Sequence, residues 1–152
     1  NPKVNPPLRE PEDVAAIREG LRDGTLDCIV TDHAPHHRDE KNVEYNLAAF
    51  GISGIETSFS LSYTYLVKTG ILTTEELACR MSQNPAKILG LKGGEIREGG
   101  VADLMIANLN EDYTIDSNKF VSKGKNTPFN GMPVSGKVKY TIVDGAVKYK
   151  EN

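Results

Sequence analysis

Hydrophobic positions change spacing three times along the chain, and each change marks a change of element. Val14, Ile17 and Leu21 recur at helical spacing behind Pro11, Glu12 and Asp13. Proline is tolerated in a first helical turn and acidic side chains favour a helix N-terminus, so a helix should open at Pro11 and stop near Gly24. Asp27-Cys28-Ile29-Val30-Thr31 then reads as a short buried parallel strand. It runs into Asp32-His33-Ala34-Pro35-His36-His37, where Pro35 opposes further strand pairing. Helical spacing returns with Ile55, Phe59, Tyr63, Leu66 and Val67, closed by Gly70. Thr73-Thr74-Glu75-Glu76 is a capping box, with Thr73 as N-cap and Glu76 reaching back. Leu77 and Met81 continue that helix, and Asn84-Pro85 is expected to break it before a last turn around Ile88 and Leu89.

Beyond Gly93 the period shortens. Ala102 to Ala107 reads as a strand, and Val138, Tyr140 and Ile142 alternate with Lys137, Lys139 and Thr141 as a half-buried one. Asp144-Gly145 turns it into Ala146-Val147-Lys148-Tyr149, a strong hairpin signal. Helix, strand and a polar cluster at the strand's C-terminal end is an α/β order over residues 1–92, followed by a β-rich segment over 93–152.

Composition narrows the class of function. The chain has 152 residues, 38% of them hydrophobic, enough for a single modest core. A net charge of −3 leaves no basic footprint for nucleic acid, and no stretch approaches the roughly 18 apolar residues of a membrane span. Cys28 and Cys79 are too few for a disulfide scaffold and lack CxxC spacing, which points to a reducing cytoplasm; both read as buried, inert thiols. The chain opens at Asn1-Pro2-Lys3, with no initiator methionine and no signal peptide, and reads like a cut through a longer protein.

Three stretches could carry chemistry. All three histidines, His33, His36 and His37, fall directly after Asp32, where α/β folds place ligands and catalytic groups. Asp32 is an oxygen donor suited to zinc, and a carboxylate beside a metal can accept a proton from water. Spacing alone is equally compatible with a solvated loop, and a catalytic zinc takes protein ligands from several places. Asn5 sits in Lys3-Val4-Asn5-Pro6-Pro7-Leu8-Arg9, where the prolines stiffen the backbone. Its amide can read a polar ring or a carboxylate, and Arg9 could hold a carboxylate bidentately; a stiff surface linker is the plainer reading. In Phe50-Gly51-Ile52-Ser53-Gly54-Ile55-Glu56 the glycines permit close backbone approach to a ligand, though most such turns are only turns.

Together, Asn5-Pro6-Pro7-Leu8-Arg9, Thr31-Asp32-His33-Ala34-Pro35-His36 and Phe50 to Glu56, with Asn84-Pro85-Ala86 and Asn126-Thr127-Pro128-Phe129, resemble the C-terminal third of the bacterial dihydroorotases of the amidohydrolase superfamily. The resemblance implies the end of a metal-dependent TIM-like (β/α)8 barrel over 1–92 and the C-terminal share of a small β-sandwich domain over 93–152. It implies that Asp32 ligates one of one or two zinc ions and acts as general base. It further implies that Asn5, His36 and the backbone at Phe50 and Gly51 bind substrate. No binding role carries over to Arg9, and His33 and His37 are expected to support or orient other groups. No His-x-His pair occurs in the chain, and a TIM barrel takes about 250 residues, so the remaining zinc ligands are expected outside it. The chain alone should then bind zinc weakly and have little activity. The implied reaction interconverts N-carbamoyl-L-aspartate and L-dihydroorotate in a homodimeric enzyme that could associate with aspartate carbamoyltransferase. A hydantoinase, dihydropyrimidinase or allantoinase, or an inactive homologue serving as a scaffold, are the competing readings.

Overall fold

Helix α1 (Pro11–Asp23) starts at its proline and ends at Gly24, which takes the left-handed conformation at φ 87°. The computed structural model describes residues 1–151. The apolar stripe of α1 is buried only at its C-terminal end: Leu21 lies in the core, whereas Val14 and Ile17 are 39% and 52% exposed. A one-turn helix, α2 (Arg38–Lys41), follows the polar cluster.

Helix α3 (Ser58–Ser62) winds on as a π-helical stretch, Tyr63–Val67. Helix α4 (Thr74–Ala78) does the same through Cys79–Gln83 and continues into α5 (Asn84–Leu89). The capping box at α4 is present in both directions: the Glu76 N–H donates to Thr73 Oγ1 at 3.1 Å, and the Thr73 N–H donates to the Glu76 carboxylate at 2.7 Å. Asn84-Pro85, expected to break the helix, does not. The Asn84 N–H reaches five residues back to the Cys79 carbonyl, and this wider turn makes room for the Pro85 ring, which a regular helix would press against the carbonyl four residues earlier. Leu21, Leu66, Leu72 and Leu77 form the core, flanked by Leu26, Ile29, Phe59, Tyr63 and Met81. Leu77 is only 1% exposed, and burial of such a side chain contributes about 1.5–3 kcal/mol.

The expected strand at Asp27–Thr31 belongs to no ladder among the described residues, because the three strands present pair only with one another. The helices hold this segment instead: the Ile29 N–H donates to the Arg80 carbonyl at 3.0 Å, and Asn84 Nδ2 donates to the Asp27 carbonyl at 2.8 Å. Val30, in the middle of the apolar run, is 79% exposed. Neither cysteine is fully buried, contrary to expectation, since the core closes on the leucines beside them.

The C-terminal segment forms an antiparallel sheet in the order β1 (Leu104–Thr114), β2 (Pro133–Val143), β3 (Ala146–Lys150). Asp144 and Gly145, at φ 50° and 72°, make the tight turn between β2 and β3 that their sequence calls for. Strand β1 runs seven residues past Ala107 because it bulges: Asn108 faces Lys137 and Asp112 faces Ser135, leaving residues 109–111 opposite Gly136 alone. The bulged end of the sheet rests on α3 and its extension, where Ser60 Oγ donates to the Gly136 carbonyl at 2.7 Å and the Ser135 N–H donates to Thr64 Oγ1 at 2.9 Å. Among the described residues no helix is long and apolar enough to cross a membrane.

Candidate active site

Three stretches remote in sequence converge on the turn 50–56: the N-terminal arm 1–5, the polar loop 32–37 and a loop at 121–126. Backbone bonds join them directly. The Gly51 N–H donates to the Lys3 carbonyl, and the Ala34 N–H to the Ile52 carbonyl, both at 3.1 Å. Ser53, 1% exposed, donates its N–H to the Asn126 carbonyl at 2.7 Å and its Oγ–H to the Gly124 carbonyl at 2.6 Å. The Glu56 carboxylate accepts the N–H groups of Val121 and Ser122 at 2.8 and 3.0 Å. Two glycines make this convergence sterically feasible. At Gly51, φ 148°, a Cβ would overlap the Ala34 carbonyl and sit 2.8 Å from His36 Cδ2; at Gly124 it would sit 2.5 Å from Pro35 Cβ.

Asp32 stands where the segment turns into this cluster. Its backbone is in the left-handed region at φ 39°, tolerated by aspartate more readily than by most residues. The residue is exposed, and no hydrogen bond or ion pair among the described residues engages its carboxylate. Both oxygens are therefore free to accept. His33 is committed elsewhere: its Nδ1 accepts the N–H groups of Gly54 and Ile55 at 3.1 and 3.3 Å, which leaves the ring proton on Nε2. His36 donates Nε2–H to the Phe50 carbonyl at 2.8 Å, while its Nδ1 lies 3.4 Å from the Glu40 carboxylate. That carboxylate also accepts the His37 N–H at 3.0 Å, and this bond first, then His36, holds Glu40 below the usual carboxylate range. His37 caps α2 through its Nδ1, a structural part. Asn5 is exposed, with no partner for its carboxamide among the described residues, and precedes a cis bond to Pro6. Arg9 pairs with Asp13 at 3.0 Å on the surface.

Of the residues singled out from sequence, His36, Phe50 and Gly51 are in direct contact, and Asn5 is tethered to them through Lys3. Asp32 shares the loop with His36 but faces open surface. An open cavity of about 300 Å³ is lined by Pro35, His36, His37, Arg38, Lys123 and Gly124; of the expected metal and substrate residues it touches His36 alone. Sequence reasoning missed the 121–126 loop, Glu56 as its anchor, and the buried lysines Lys3 and Lys41. Only Asn126 in that loop had drawn notice; Lys41, in the run Arg38-Asp39-Glu40-Lys41, looks like a solvated charge.

The donor set bears on metal binding. Among the described residues no group of three His, Cys, Asp or Glu side chains could hold an ion. His33 Nδ1 and His36 Nε2 are occupied by protein partners, so the cluster offers a cation the oxygens of Asp32. That fits one corner of a metal centre and not a whole one.

A model of the amidohydrolase family matches residues 5–148. A dihydroorotase from Caldanaerobacter subterraneus subsp. tengcongensis is 57% identical over 152 residues, which is 100% of this chain and 35% of that protein. A dihydroorotase from Acetivibrio thermocellus is 55% identical over 98% of this chain and 35% of its own length. The chain thus spans about a third of the length of the curated relatives it matches. Among solved structures, the L-hydantoinase (dihydropyrimidinase) from Arthrobacter aurescens superposes with a TM-score of 0.91 at 35% identity, over 99% of this chain and 34% of that one. The D-hydantoinase (dihydropyrimidinase) from Thermus sp. gives 0.90 at 27% identity, over 98% and 34%.

Proposed function

This chain belongs to the amidohydrolase family, and from that premise we propose that the protein carrying it is a dihydroorotase. It would close N-carbamoyl-L-aspartate to L-dihydroorotate, and reopen it, in pyrimidine synthesis. One observation carries this reading: identity to a dihydroorotase is 57% along the whole chain, against 35% to a hydantoinase whose backbone superposes at a TM-score of 0.91. The fold is shared across ring substrates, so the side chains make the choice.

In this reading residues 1–92 are the last strand and closing helices of a TIM-like barrel, and 93–152 the C-terminal share of a small β domain. Asp27–Thr31 is then a barrel strand whose neighbours come from chain beyond these residues, which accounts for its lack of a ladder and for the exposure of Val30. Asp32 lies at that strand's C-terminal end, the active face of such barrels.

A divalent metal, zinc in this reading, supplies when bound a water acidic enough to ionise near neutral pH. Asp32 would hold one ligand position, beside ligands from elsewhere in the protein. Its carboxylate accepts the proton of the attacking water and returns it to the ring nitrogen as the amide C–N bond breaks. The absence of any competing partner on Asp32 supports both tasks. Asn5 offers the substrate an amide donor and acceptor. His36 turns its Nε2–H from the Phe50 carbonyl onto the substrate carboxylate, and the freed carbonyl accepts a ring N–H. The Gly51 backbone keeps that wall close, since any side chain there would fill the space against Ala34 and His36. A homodimer, a cytoplasmic location and association with aspartate carbamoyltransferase belong to this reading as well.

The test is substrate choice by the natural polypeptide. Its kcat/KM for L-dihydroorotate should exceed that for hydantoin or dihydrouracil by at least about 100-fold, because a site built around a carboxylate rejects rings that lack it. Preference for a neutral ring would favour a hydantoinase-type enzyme, a class whose fold this chain shares.

A further inference from the structure

Lys41 sits in a charged run on a one-turn helix, where a lysine is normally solvated, yet it is only 3% exposed. Its ammonium has no carboxylate partner among the described residues. It donates instead to the Lys3 carbonyl at 2.9 Å and the Ala49 carbonyl at 2.7 Å. A cation buried on neutral dipoles is an unfavourable way to fill space that an apolar side chain would fill as well. Desolvation first, and the nearby Lys3 cation second, hold its pKa below the usual lysine range. Lys3 is itself 8% exposed, with Nζ 2.9 Å from the Asn46 carbonyl and 4.4 Å from the centre of the Phe50 ring.

The two carbonyls that Lys41 joins belong to two pieces of the site. Lys3 lies two residues before Asn5, and its carbonyl also accepts the Gly51 N–H at 3.1 Å. Ala49 directly precedes Phe50, whose carbonyl engages His36 at 2.8 Å. We propose that Lys41 is a positioning residue that clasps the Asn5 arm to the Phe50–Gly51 turn and so sets the gap that the substrate spans. This rests on the dihydroorotase reading. Lys41 touches no reacting atom; it acts through Asn5 and Phe50–Gly51.

The test is steady-state kinetics with L-dihydroorotate in the natural polypeptide. Lys41→Met, close in volume but without donors, should raise KM by about tenfold or more and leave kcat within about threefold. Asn5→Ala should raise KM in the wild-type background and add little in Lys41→Met, because residues acting as one unit are non-additive. A purely structural role would lower the melting temperature and the active fraction without moving KM. An unchanged KM in Lys41→Met, or full additivity with Asn5→Ala, overturns the proposal. Should Lys41→Met not fold, Lys41→Gln, one bond too short to bridge both carbonyls, takes its place with the same expected rise in KM. If neither folds, Lys41 belongs to the fold alone and the proposal is overturned. Absence of dihydroorotate turnover by the unsubstituted polypeptide overturns the functional reading, and this inference with it; normal turnover with an unmoved KM overturns the inference alone.

Discussion

Between Leu104 and Lys150 the strands are held by their own ladder, whereas between Asn1 and Glu56 the fixed contacts reach across the chain. The sheet pairs each strand with its sequence neighbour, and ion pairs line the ladder: Lys139 lies 2.6 Å from Glu111, and Lys137 contacts both Glu111 and Glu151. Among the described residues the site loops have no ladder. They are pinned by a few tethers: Ser53 to Gly124 and Asn126, Glu56 to Val121 and Ser122, and Lys41 to Lys3 and Ala49. A scaffold built on repeated local pairing tolerates the loss of one contact. A site built on a few tethers does not, and among the described residues it leaves the Asp32 carboxylate and the Asn5 carboxamide without partners. The same difference separates what substitutions should do to activity from what they should do to stability.

The largest expected effect lies where chemistry and fold are least connected. Asp32→Asn, whose side chain also tolerates the left-handed backbone at this position, should lower kcat for dihydroorotate by about 10²–10⁴-fold, the usual worth of a positioned base, while the melting temperature of the metal-free protein stays unchanged because Asp32 has no protein partner among the described residues to lose. Paired turnover and thermal-melt measurements on the natural polypeptide check both halves. Next is Gly51→Ala, which attacks a tether: the new Cβ would overlap the Ala34 carbonyl at a backbone conformation rare for L side chains. Overpacking of this kind should cost about 1–3 kcal/mol and raise KM together with it, read by denaturant unfolding and kinetics.

The smallest effect belongs to the sheet, as pH dependence. Lys139 holds Glu111, and Lys137 holds Glu151, below the usual carboxylate range. Their native pKa values are lower than the unfolded ones, so their stabilisation is in place above about pH 4.3 and fades as pH falls through the native values. Lys137 is raised by Glu151, and Tyr149 is pushed up to about 12, chiefly by its hydrogen bond to Glu151. Both contributions are present at neutral pH and fade as pH rises through those native values. Surface pairs contribute little, so melting temperatures should shift by only roughly 1–3 °C, and Lys137→Met should flatten both limbs.

What the sequence made legible follows the same division. The α1 start at Pro11, the Thr73–Glu76 box and the Asp144-Gly145 turn are each decided within a few residues, and each stands as read. From sequence alone strand β1 ends at Ala107, because the bulge carries the run Asn108-Leu109-Asn110-Glu111, which by itself looks like a loop. The helix through Pro85 was missed because a π turn is not encoded by any one residue type. In the site, the motifs flagged Asp32, Asn5, His36, Phe50 and Gly51. Gly124 against Pro35 and Lys41 beneath Lys3 were not legible, because partners 89 and 38 residues away leave no local periodicity.

The most direct test of the account is a crystal structure of the natural polypeptide with metal and L-dihydroorotate bound. The account predicts an Asp32 carboxylate oxygen on the metal and the substrate held by Asn5, His36 and the Phe50–Gly51 backbone. An Asp32 side chain turned away from any ion, or a substrate with no contact to those four residues, would contradict it.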